Sequence, residues 1–328
     1  MAGGAPLILV TGGTGFIGRH LCRRLLADGC RVRVLCRTAP PGDLDAAVEV
    51  AIGDVTSPAS LPAALAGADT VFHLASALGA TPFGPQGFFN VNAEGTRNVL
   101  AAARAAGTRR VVHCSSVGVL GGIQGPPAAE DAPLRPEDDY ERSKARGEQI
   151  AREAAAAGLP VIIVRPGWAY GPGDRRTFKL IRAIARRRFF FVGDGTTREH
   201  PVFIDDLAAG IAACRTAEIA PGEVVTIAGD EIVTIADLCG RIARAVGVPP
   251  TRLHVPREPL RTLAGVLERL FKATGREAPL TRAKVDFFLK HRAYDTAKAK
   301  RLLGFAPRMR LDEGLPRTVA WYRAQGWL

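Results

Sequence analysis

Tyr140 and Lys144 are the residues whose types and spacing first suggest chemistry, in the stretch DDYERSKARGEQ (138–149). On a helix, residues four apart lie on one face, one turn from each other. A fixed ammonium charge beside a phenol lowers the phenol pKa from about 10, which would let Tyr140 act as an acid or base near neutral pH. The alternative is an exposed helix on which the tyrosine ring packs against the lysine stem. The pair alone leaves both interpretations open.

A glycine-rich turn is the second stretch that could do chemistry. TGGTGFIG (11–18) follows the apolar run LILV (7–10) and opens a helical pattern. It fits GxGxxG when read from Gly13 and GxxGxxG when read from Gly12. In this context, glycines let the backbone approach a pyrophosphate at a helix N-terminus, where free N–H groups and the helix dipole favour anions. The turn therefore predicts dinucleotide binding, with a purely structural turn as the alternative.

The residue after the second predicted strand bears on the choice of cofactor. Dinucleotide-binding units commonly carry a ribose-binding acid there, and this sequence has Cys36 and Arg37. The planar guanidinium of Arg37 suits a 2′-phosphate, which favours NADP over NAD, whereas an arginine that only stacks on the adenine would allow either cofactor. Asp54, after the third strand, would accept a bond from the adenine amino group or cap a helix, and its local sequence favours neither.

Apolar strands and helices alternate along the first two thirds of the chain. Strands are predicted at 7–10, 31–35, 48–52, 70–75, 110–116, 160–166 and 223–229, and helices at 16–27, 59–66, 88–106, 138–157, 203–217 and 234–246. This alternation predicts an α/β fold, a doubly wound parallel Rossmann sheet with a smaller, mostly helical C-terminal substrate lobe. We predict that residues 1–166 and 201–230 form the NAD(P)-binding domain, and that residues 167–200 and 231–328 form the lobe.

The composition is typical of a cytoplasmic globular protein. The chain has 328 residues, 47% of them hydrophobic, and no apolar run reaches the length of a membrane span. The six cysteines form no CxxC pair, so we expect reduced, buried thiols and no metal site. The net charge of +12 favours anionic partners. Basic residues are nevertheless spread along the chain without a nucleic-acid-binding motif, so no nucleic-acid partner is expected.

Two stretches of the predicted lobe have more than one interpretation. The apolar positions of the helix 260–271 would line an apolar pocket, touch a membrane surface weakly, or simply pack on the core. RRRFFF (186–191) is either an anion-binding patch beside an apolar wedge, or a basic helix end followed by a core strand, and we favour the second. The proline-rich loop 120–137 lies just before Tyr140, where loops commonly cover a ligand.

Taken together, the motifs resemble those of the extended short-chain dehydrogenase/reductases, also called the NAD-dependent epimerase/dehydratase family. The resemblance covers nearly the whole chain and rests on TGGTGFIG, HLAS (73–76), NAEGTRN (92–98), CSS (114–116), YERSK (140–144), RPGWAYGPGD (165–174), VFIDDLAAG (202–210) and the tail from YDTAKAKRLLGFAP (294–307) to WYRAQGWL (321–328). It implies that Tyr140 is the general acid/base, that Lys144 lowers its pKa and holds the nicotinamide ribose, and that Ser116 binds the same substrate oxygen. Ser115 is the less favoured serine.

The resemblance also implies a set of cofactor-binding residues and a small-molecule substrate. The cofactor set is Gly12, Thr14, Gly15, Phe16, Ile17, Gly18, Arg37, Asp54, Val55, Leu74, Ala75, Ser76, Asn92, Tyr140, Lys144 and Pro166. Asn92 matches the family's NxxGT pattern, without a settled role. Family members are often homodimers joined through the helices predicted here at 88–106 and 138–157.

Three functions follow from the resemblance. The first is an NAD(P)-dependent interconversion of a secondary alcohol and a ketone on a hydrophobic, steroid- or flavonoid-like substrate, because the C-terminal lobe resembles that of 3β-hydroxysteroid dehydrogenase-like proteins. The second is a nucleotide-sugar epimerase or dehydratase. Such enzymes usually carry an RDF-like run where this chain has Glu199, His200 and Pro201. The third is a non-catalytic NADP-sensing protein, a class that typically loses the tyrosine–lysine pair.

Overall fold

The computed structural model describes residues 4–39, 44–79, 84–273, 278, 280–287 and 289–328. The predicted domain ranges also include residues 1–3, 40–43, 80–83, 274–277, 279 and 288, which lie outside the described residues. The strands are β1 (Leu7–Thr11), β2 (Arg31–Cys36), β3 (Glu49–Ile52), β4 (Thr70–His73), β5 (Arg110–Cys114), β6 (Val161–Pro166), β7 (Trp168–Tyr170), β8 (Phe191–Val192), β9 (Arg198–Glu199), β10 (Pro201–Phe203), β11 (Val224–Ile227), β12 (Val233–Thr234) and β13 (His254–Val255).

Helices cover most of the remaining described chain. They are α1 (Phe16–Ala27), α2 (Leu61–Leu65), α3 (Gly84–Phe89), α4 (Gly95–Ala105), α5 (Asp139–Ala156), α6 (Arg175–Ala185), α7 (Ile204–Ala213), α8 (Ile235–Val246), α9 (Arg257–Ala273), α10 (Arg282–Phe287), α11 (Ala297–Leu303) and α12 (Leu311–Ala324). A π-helical turn (Asn90–Glu94) joins α3 to α4, and 3₁₀ turns occupy Pro58–Ser60 and Val117–Leu120.

The central sheet has seven strands in the order β3-β2-β1-β4-β5-β6-β11, and every neighbouring pair is parallel. The predicted doubly wound Rossmann sheet is therefore confirmed. The chain runs outward in one direction from β1 to β3 and in the other from β4 to β11. Ligands of such sheets bind outside the carboxyl ends of the strands where the order reverses, which here is the crevice between β1 and β4.

Alternate side chains of the strands supply the two hydrophobic layers that hold helices on both faces of the sheet. Ile8 and Val10 of β1 belong to one core cluster, and Leu9 between them belongs to the other. Because a strand points successive side chains to opposite faces, a continuous apolar run is what a sheet covered on both faces requires. This explains why LILV is apolar throughout.

Several helix boundaries differ from the predicted ones. The helix predicted at 88–106 begins earlier, at Gly84, and contains the π-helical turn; the helix predicted at 203–217 ends at Ala213. The helix predicted at 138–157 is α5, which begins at Asp139 because the Asp138 side chain accepts a hydrogen bond from the backbone N–H of Glu141 at 2.7 Å.

Among the described residues, the segments assigned to the lobe contain two two-stranded sheets, β9 with β12 and β8 with β13, together with α6, α8 to α10 and α12. Strand β7 of the lobe pairs with β10, which the prediction places in the NAD(P)-binding domain. The predicted domain division stays a prediction. Helix α11, which the prediction places in the lobe, packs against β11 of the central sheet.

A buried ion pair ties α5 to β6. Arg165 Nη2 donates to Glu148 Oε1 at 2.7 Å, Arg165 Nε donates to Glu148 Oε2 at 3.0 Å, and both side chains are fully buried. Burial alone would raise the pKa of Glu148, but the hydrogen bonds and charge of Arg165 outweigh it and lower that pKa. The third Arg165 nitrogen donates to Glu130 O at 3.0 Å, so the loop before α5 is held by the same guanidinium.

Glu148→Ala is expected to lower the free energy of unfolding by about 3–5 kcal/mol, because it leaves the Arg165 charge buried without its partner. Urea denaturation measures the change. If that variant does not accumulate as folded protein, Glu148→Gln keeps one oxygen acceptor and gives a measurable intermediate loss.

The matched control is Asp28→Ala, which removes a largely exposed ion pair with Arg24 on α1. Its expected cost is below about 1 kcal/mol. Equal losses in Glu148→Ala and Asp28→Ala would show that the buried pair does not hold α5 in place.

Candidate active site

The turn between β1 and α1 is a cradle whose shape depends on glycine. Gly12 has φ +73°, and a Cβ there would lie 2.7 Å from the backbone nitrogen of Ala75. A Cβ at Gly18 would lie 2.2 Å from Gly12 O. The turn, the start of α1 and the segment after β4 are therefore in backbone contact, and a larger residue at either position would push them apart.

The first turn of α1 is open to an anion. Gly15 is its N-cap and no side chain caps it, while Gly15 N donates to Gly12 O at 3.0 Å. Arg19 Nε fixes the turn by donating to Thr14 O at 2.8 Å. Because the first N–H groups of a helix have no intrahelical acceptor, those of Phe16 and Ile17 stay available to a pyrophosphate. This cradle fits a dinucleotide.

The adenine end of the expected site contains three predicted residues. Arg37 is exposed after β2 and has no hydrogen bond or ion pair within the described chain. Asp54 Oδ1 accepts from the backbone N–H and the hydroxyl of Thr56 at 2.8 and 2.9 Å, so Asp54 caps a turn and not a helix. Val55 is buried, and a Cβ at Gly95 of α4 would lie 2.8 Å from its side chain.

The segment after β4 is held at the edge of the cradle. Leu74 N donates to Thr11 O at 3.0 Å, and Ala75 N donates to the Thr11 hydroxyl at 3.2 Å. Ser76 follows, with an exposed side chain that donates to Asn92 Oδ1 at 3.0 Å. The three predicted residues 74–76 therefore line the crevice where the strand order reverses.

Asn92 lies in the π-helical turn and is engaged entirely with protein groups. Its Oδ1 accepts from Ser76 Oγ and from Ala77 N, at 3.0 and 2.8 Å, and its Nδ2 donates to Ser143 Oγ at 2.9 Å and to Ala77 O at 3.1 Å. The amide thus connects the segment after β4 to α5. This gives Asn92 a positioning role, and its predicted contact with the cofactor stays a prediction.

Lys144 is almost fully buried, at 3% exposure, beneath the carboxyl end of β5. Its Nζ donates to Cys114 O at 2.5 Å. Burial lowers the Lys144 pKa, and the nearby Glu148 carboxylate opposes that shift. The alternative of an exposed helix with Tyr140 resting on a lysine stem is therefore wrong.

Two buried histidines lie close to the Lys144 charge. Burial, helped by Lys144, lowers the pKa of His73 to about 3 and lowers that of His113 well below its usual value. His73 is hydrogen bonded to the hydroxyls of Thr11 and Thr96, at 2.7 and 3.0 Å. Both rings are thus neutral at physiological pH and add no charge beside Lys144.

Ser116 is the hydroxyl that acts on the Tyr140 phenol, because its side chain works to lower the Tyr140 pKa. Ser116 Oγ accepts from Gly118 N at 3.1 Å at the start of the 3₁₀ turn. The Phe88 ring stands edge-on to Tyr140, with centroids 6.3 Å apart. Ser115 points elsewhere, because its Oγ donates to Glu148 Oε2 at 2.7 Å. The structure therefore favours Ser116 over Ser115 as the partner of Tyr140.

The predicted lowering of the Tyr140 pKa by Lys144 is not observed. Burial raises the pKa of Tyr140 above its ordinary value, and the groups that oppose this shift are the Arg176 guanidinium and the Ser116 hydroxyl. The physical reason is that Lys144 lies deeper, with its ammonium group on Cys114 O. The spacing of the pair is as predicted, but its electrostatic effect on the phenol is not.

Two charged residues act on Tyr140 or Lys144 without having been predicted from the sequence, Arg176 and Glu148. Arg176 stands in the first turn of α6 and acts on Tyr140 from 36 positions away in the chain, so no local spacing indicates it. Glu148 stands one turn after Lys144 on α5, and that spacing was a usable signal. Pro166, which was predicted, ends β6 opposite Ile227 of β11 at the carboxyl edge of the sheet.

Within the described residues, no group of three or more His, Cys, Asp or Glu side chains is arranged to hold a metal ion. Across the same residues, every helix is too short or too polar to cross a membrane. All six cysteines are buried as free thiols.

Comparison with known proteins supports the assignment that the geometry suggests. The model of the NAD dependent epimerase/dehydratase family matches residues 8–228. Ceramide reductase of Caulobacter vibrioides is 33% identical over 325 residues, covering 98% of this chain and 96% of that protein. Further relatives include a 2-alkyl-3-oxoalkanoate reductase and a decarboxylating sterol-4-alpha-carboxylate 3-dehydrogenase.

Solved structures agree over the whole chain. The crystal structure of gox2253 is 32% identical with a TM-score of 0.84, covering 98% of this chain and 99% of that one. DesIV, a dTDP-glucose 4,6-dehydratase from Streptomyces venezuelae with NAD and TYD bound, is 29% identical with a TM-score of 0.77 and 98% coverage of both chains. The cradle, the strand order and these matches together show that the chain belongs to the NAD dependent epimerase/dehydratase family and is an NAD(P)-dependent oxidoreductase of the extended short-chain dehydrogenase/reductase type.

Proposed function

We propose that this protein interconverts a secondary alcohol and a ketone on a hydrophobic, lipid-like substrate, with Ser116, Tyr140 and Lys144 as the catalytic residues and NADP as the favoured cofactor. The observation that carries the proposal is that the buried Lys144 donates to Cys114 O, two residues before Ser116, while Tyr140 stands one turn before Lys144 on α5, where the Ser116 hydroxyl acts on its phenol. Two hydroxyls that meet at one point can both bond a single substrate oxygen.

The chain's own residues handle the proton. In the oxidising direction Tyr140 Oη takes the proton from the alcohol oxygen, and in the reducing direction it returns a proton to the ketone oxygen. Ser116 donates a hydrogen bond to the same oxygen and fixes its position. Arg176 favours the phenolate that forms, and Lys144, which donates to Cys114 O, has donors left for the ribose hydroxyls. When bound, the nicotinamide supplies the carbon that gives or takes the hydride.

The cofactor preference is proposed from Arg37. The neighbouring arginines of β2 are engaged, since Arg31 Nη2 and Arg33 Nη2 donate to Glu49 at 2.5 and 3.0 Å. Arg37, by contrast, keeps its guanidinium free of partners among the described residues. A free, exposed guanidinium at the ribose position fits a 2′-phosphate by charge and by geometry.

The substrate class is proposed from the site and from the relatives. The Phe88 ring stands edge-on to Tyr140 with centroids 6.3 Å apart, so an apolar group flanks the proposed catalytic hydroxyl. A relative that reduces ceramide, by its name, acts on a long-chain lipid. These features support a hydrophobic alcohol or ketone.

A nucleotide-sugar substrate is the second candidate, since DesIV and similar structures are nucleotide-sugar enzymes. The segment where such enzymes are expected to grip a diphosphate is occupied internally here. Glu199 accepts from Arg292 Nη1 at 2.8 Å, and His200 Nε2 is bonded to Gly229 O at 2.7 Å. Because these side chains are bonded within the protein, they are not available to bind a diphosphate, which disfavours a nucleotide-sugar substrate. The intact tyrosine–lysine pair speaks against a non-catalytic sensor.

A homodimer through α4 and α5 and a cytoplasmic location stay predictions. They would be tested by the mass of the purified protein in solution and by fractionation of the source cells. The weak membrane contact predicted for the helix at 260–271 also stays a prediction here. That helix is α9 of the structure.

Tyr140→Phe is expected to reduce turnover of an accepted ketone by about 100-fold or more, because it removes the proton donor, while NADPH binding changes little. The rate of NADPH oxidation with a panel of long-chain and steroid ketones measures turnover. Titration calorimetry measures the affinity for NADPH. Tyr170→Phe is the control, since the buried Tyr170 hydroxyl has no hydrogen-bond partner in the described part of the chain. Turnover by Tyr140→Phe at the level of this control would contradict the assignment of Tyr140.

Arg37→Ser is expected to weaken NADPH binding by about 10–100-fold, the worth of hydrogen bonds to a charged group, and to leave NADH binding nearly unchanged. Titration calorimetry with each nucleotide measures the ratio of the NADPH and NADH dissociation constants. Arg24→Ser, on the exposed side of α1, is the control. An equal loss for NADPH and NADH would mean that Arg37 only stacks on the adenine and would remove the argument for NADP.

Arg176→Gln is expected to move the pH profile of kcat/KM to higher pH. Because Arg176 opposes the raised pKa of Tyr140, its removal raises that pKa further. Alcohol oxidation requires the phenolate and rises as pH passes through this pKa; ketone reduction requires the phenol and falls there. The rise of kcat/KM for oxidation and the fall of kcat/KM for reduction therefore both move to higher pH. Arg175→Gln is the control, since Arg175 stacks on Trp327 at 5.1 Å. Unchanged limbs in Arg176→Gln would contradict the electrostatic role.

A further inference from the structure

Helix α9 has two apolar faces, of which only one is covered. Leu260 and Ala264 are buried, and they pack with Val285 and with partly buried residues that include Phe190 and Leu289. Leu263, Val266 and Leu270 are 51%, 47% and 60% exposed. Their spacing of three and four residues places them along one side of the helix, next to the buried face. Exposed apolar side chains are ordinary when single, but an aligned set of three is not.

A fourth exposed apolar side chain, Leu253, lies on the segment that leads into α9. Leu253 is 60% exposed, and its carbonyl accepts from Phe191 N at 2.9 Å. The Thr251 hydroxyl donates to Phe189 O at 3.0 Å. The chain before α9 is therefore bonded to the strand that follows the arginine-rich turn 186–188.

Five exposed arginines accompany these leucines without any ion pair among the described residues: Arg186, Arg187, Arg188, Arg252 and Arg269. Arg187 has φ 56°, the one non-glycine residue of the described chain in the left-handed region, so the three consecutive arginines are held in a sharp turn at the end of α6. The positive charge of this region is thus not neutralised by the protein.

The acidic residues of the same region are already engaged. Asp286 pairs with Arg261 at 3.3 Å, and Glu268 Oε1 accepts from Arg282 N at 2.8 Å. Glu258 lies 3.7 Å from Arg257 on α9 itself. The groups left for an outside partner are therefore apolar side chains and guanidinium groups.

We propose that the exposed face of α9 (Leu263, Val266 and Leu270), together with Leu253 and the arginines at 186–188, 252 and 269, is a docking surface for an anionic phospholipid bilayer. We name it the α9 surface. Exposed leucines that enter the interfacial zone beside unpaired basic groups are the combination that binds anionic membranes. The helix lies on the bilayer and does not span it.

Charge complementarity selects the bilayer over a second copy of the chain. In a two-fold dimer through this face, each arginine cluster would meet the same face of the partner, and the like charges would repel. The chain also carries a net charge of +12, which adds to that repulsion. A negatively charged lipid surface satisfies both the leucines and the arginines.

Co-sedimentation of the full-length protein with vesicles tests the proposal. We expect binding to vesicles of phosphatidylcholine with one quarter phosphatidylglycerol, much weaker binding to phosphatidylcholine alone, and loss of binding as salt is raised, because salt screens the attraction. Equal binding to the two kinds of vesicle, or no binding to either, overturns the proposal. The measurement needs no turnover, so it is independent of the proposed enzymatic function.

Two variants locate the binding. Leu263→Asp with Leu270→Asp is expected to weaken anionic-vesicle binding by about tenfold or more, because it removes the inserted apolar groups. Arg187→Gln with Arg188→Gln is expected to weaken it by about fivefold for each arginine. Both substitutions are at exposed positions, and an unchanged thermal transition verifies folding.

Ile232→Asp is the matched control, since Ile232 is also exposed, at 39%, but lies before β12. An equal loss of binding in this control, or none in the α9 variants, overturns the assignment to the α9 surface. The mass in solution is measured alongside. A dimer that the Leu263→Asp, Leu270→Asp variant turns into a monomer would show that the face binds a second copy instead.

Discussion

The fully buried pair of Glu148 and Arg165 is the interaction on which the geometry of the candidate site depends. Glu148 stands one turn after Lys144 on α5, and Arg165 stands near the end of β6, so the pair fixes the helix against the sheet. The same carboxylate accepts from Ser115, which turns that serine away from Tyr140. Removing either charge alone would leave the other buried in the core without a partner. The register of α5, and with it the position of Tyr140, is therefore specified by electrostatics as well as by packing.

A second constraint is backbone proximity at the point where the strand order reverses. At Gly12 and Gly18 the backbone of the first turn approaches so closely that no Cβ fits. This contact brings the segment after β4 beside the N-terminus of α1, and Asn92 ties that segment to α5 through Ser143. The glycine cradle and α5 are consequently parts of one connected network, so the backbone that fits a dinucleotide and the helix that carries Tyr140 are held at a fixed separation.

The fold was largely readable from the sequence because its signals are local. Apolar runs and their alternation with helical patterns predicted all seven sheet strands and the position of α5 to within two residues at most ends. The exceptions have physical causes. The π-helical turn at Asn90–Glu94 depends on contacts of Asn92 with groups far along the chain, and no helical period reveals it.

The sequence by itself determined the strand–turn–helix cradle, the spacing of Tyr140 and Lys144, and the family to which these motifs point. Only the tertiary structure decided which groups act on Tyr140. Burial raises its pKa, Arg176 opposes the shift from another helix, and Lys144 is turned toward Cys114 O. The tertiary structure also decided that Leu263 and Leu270 of α9 are exposed to solvent. The reason is that spacing fixes which side chains share a helix face, whereas burial and charge depend on elements brought together from distant parts of the chain.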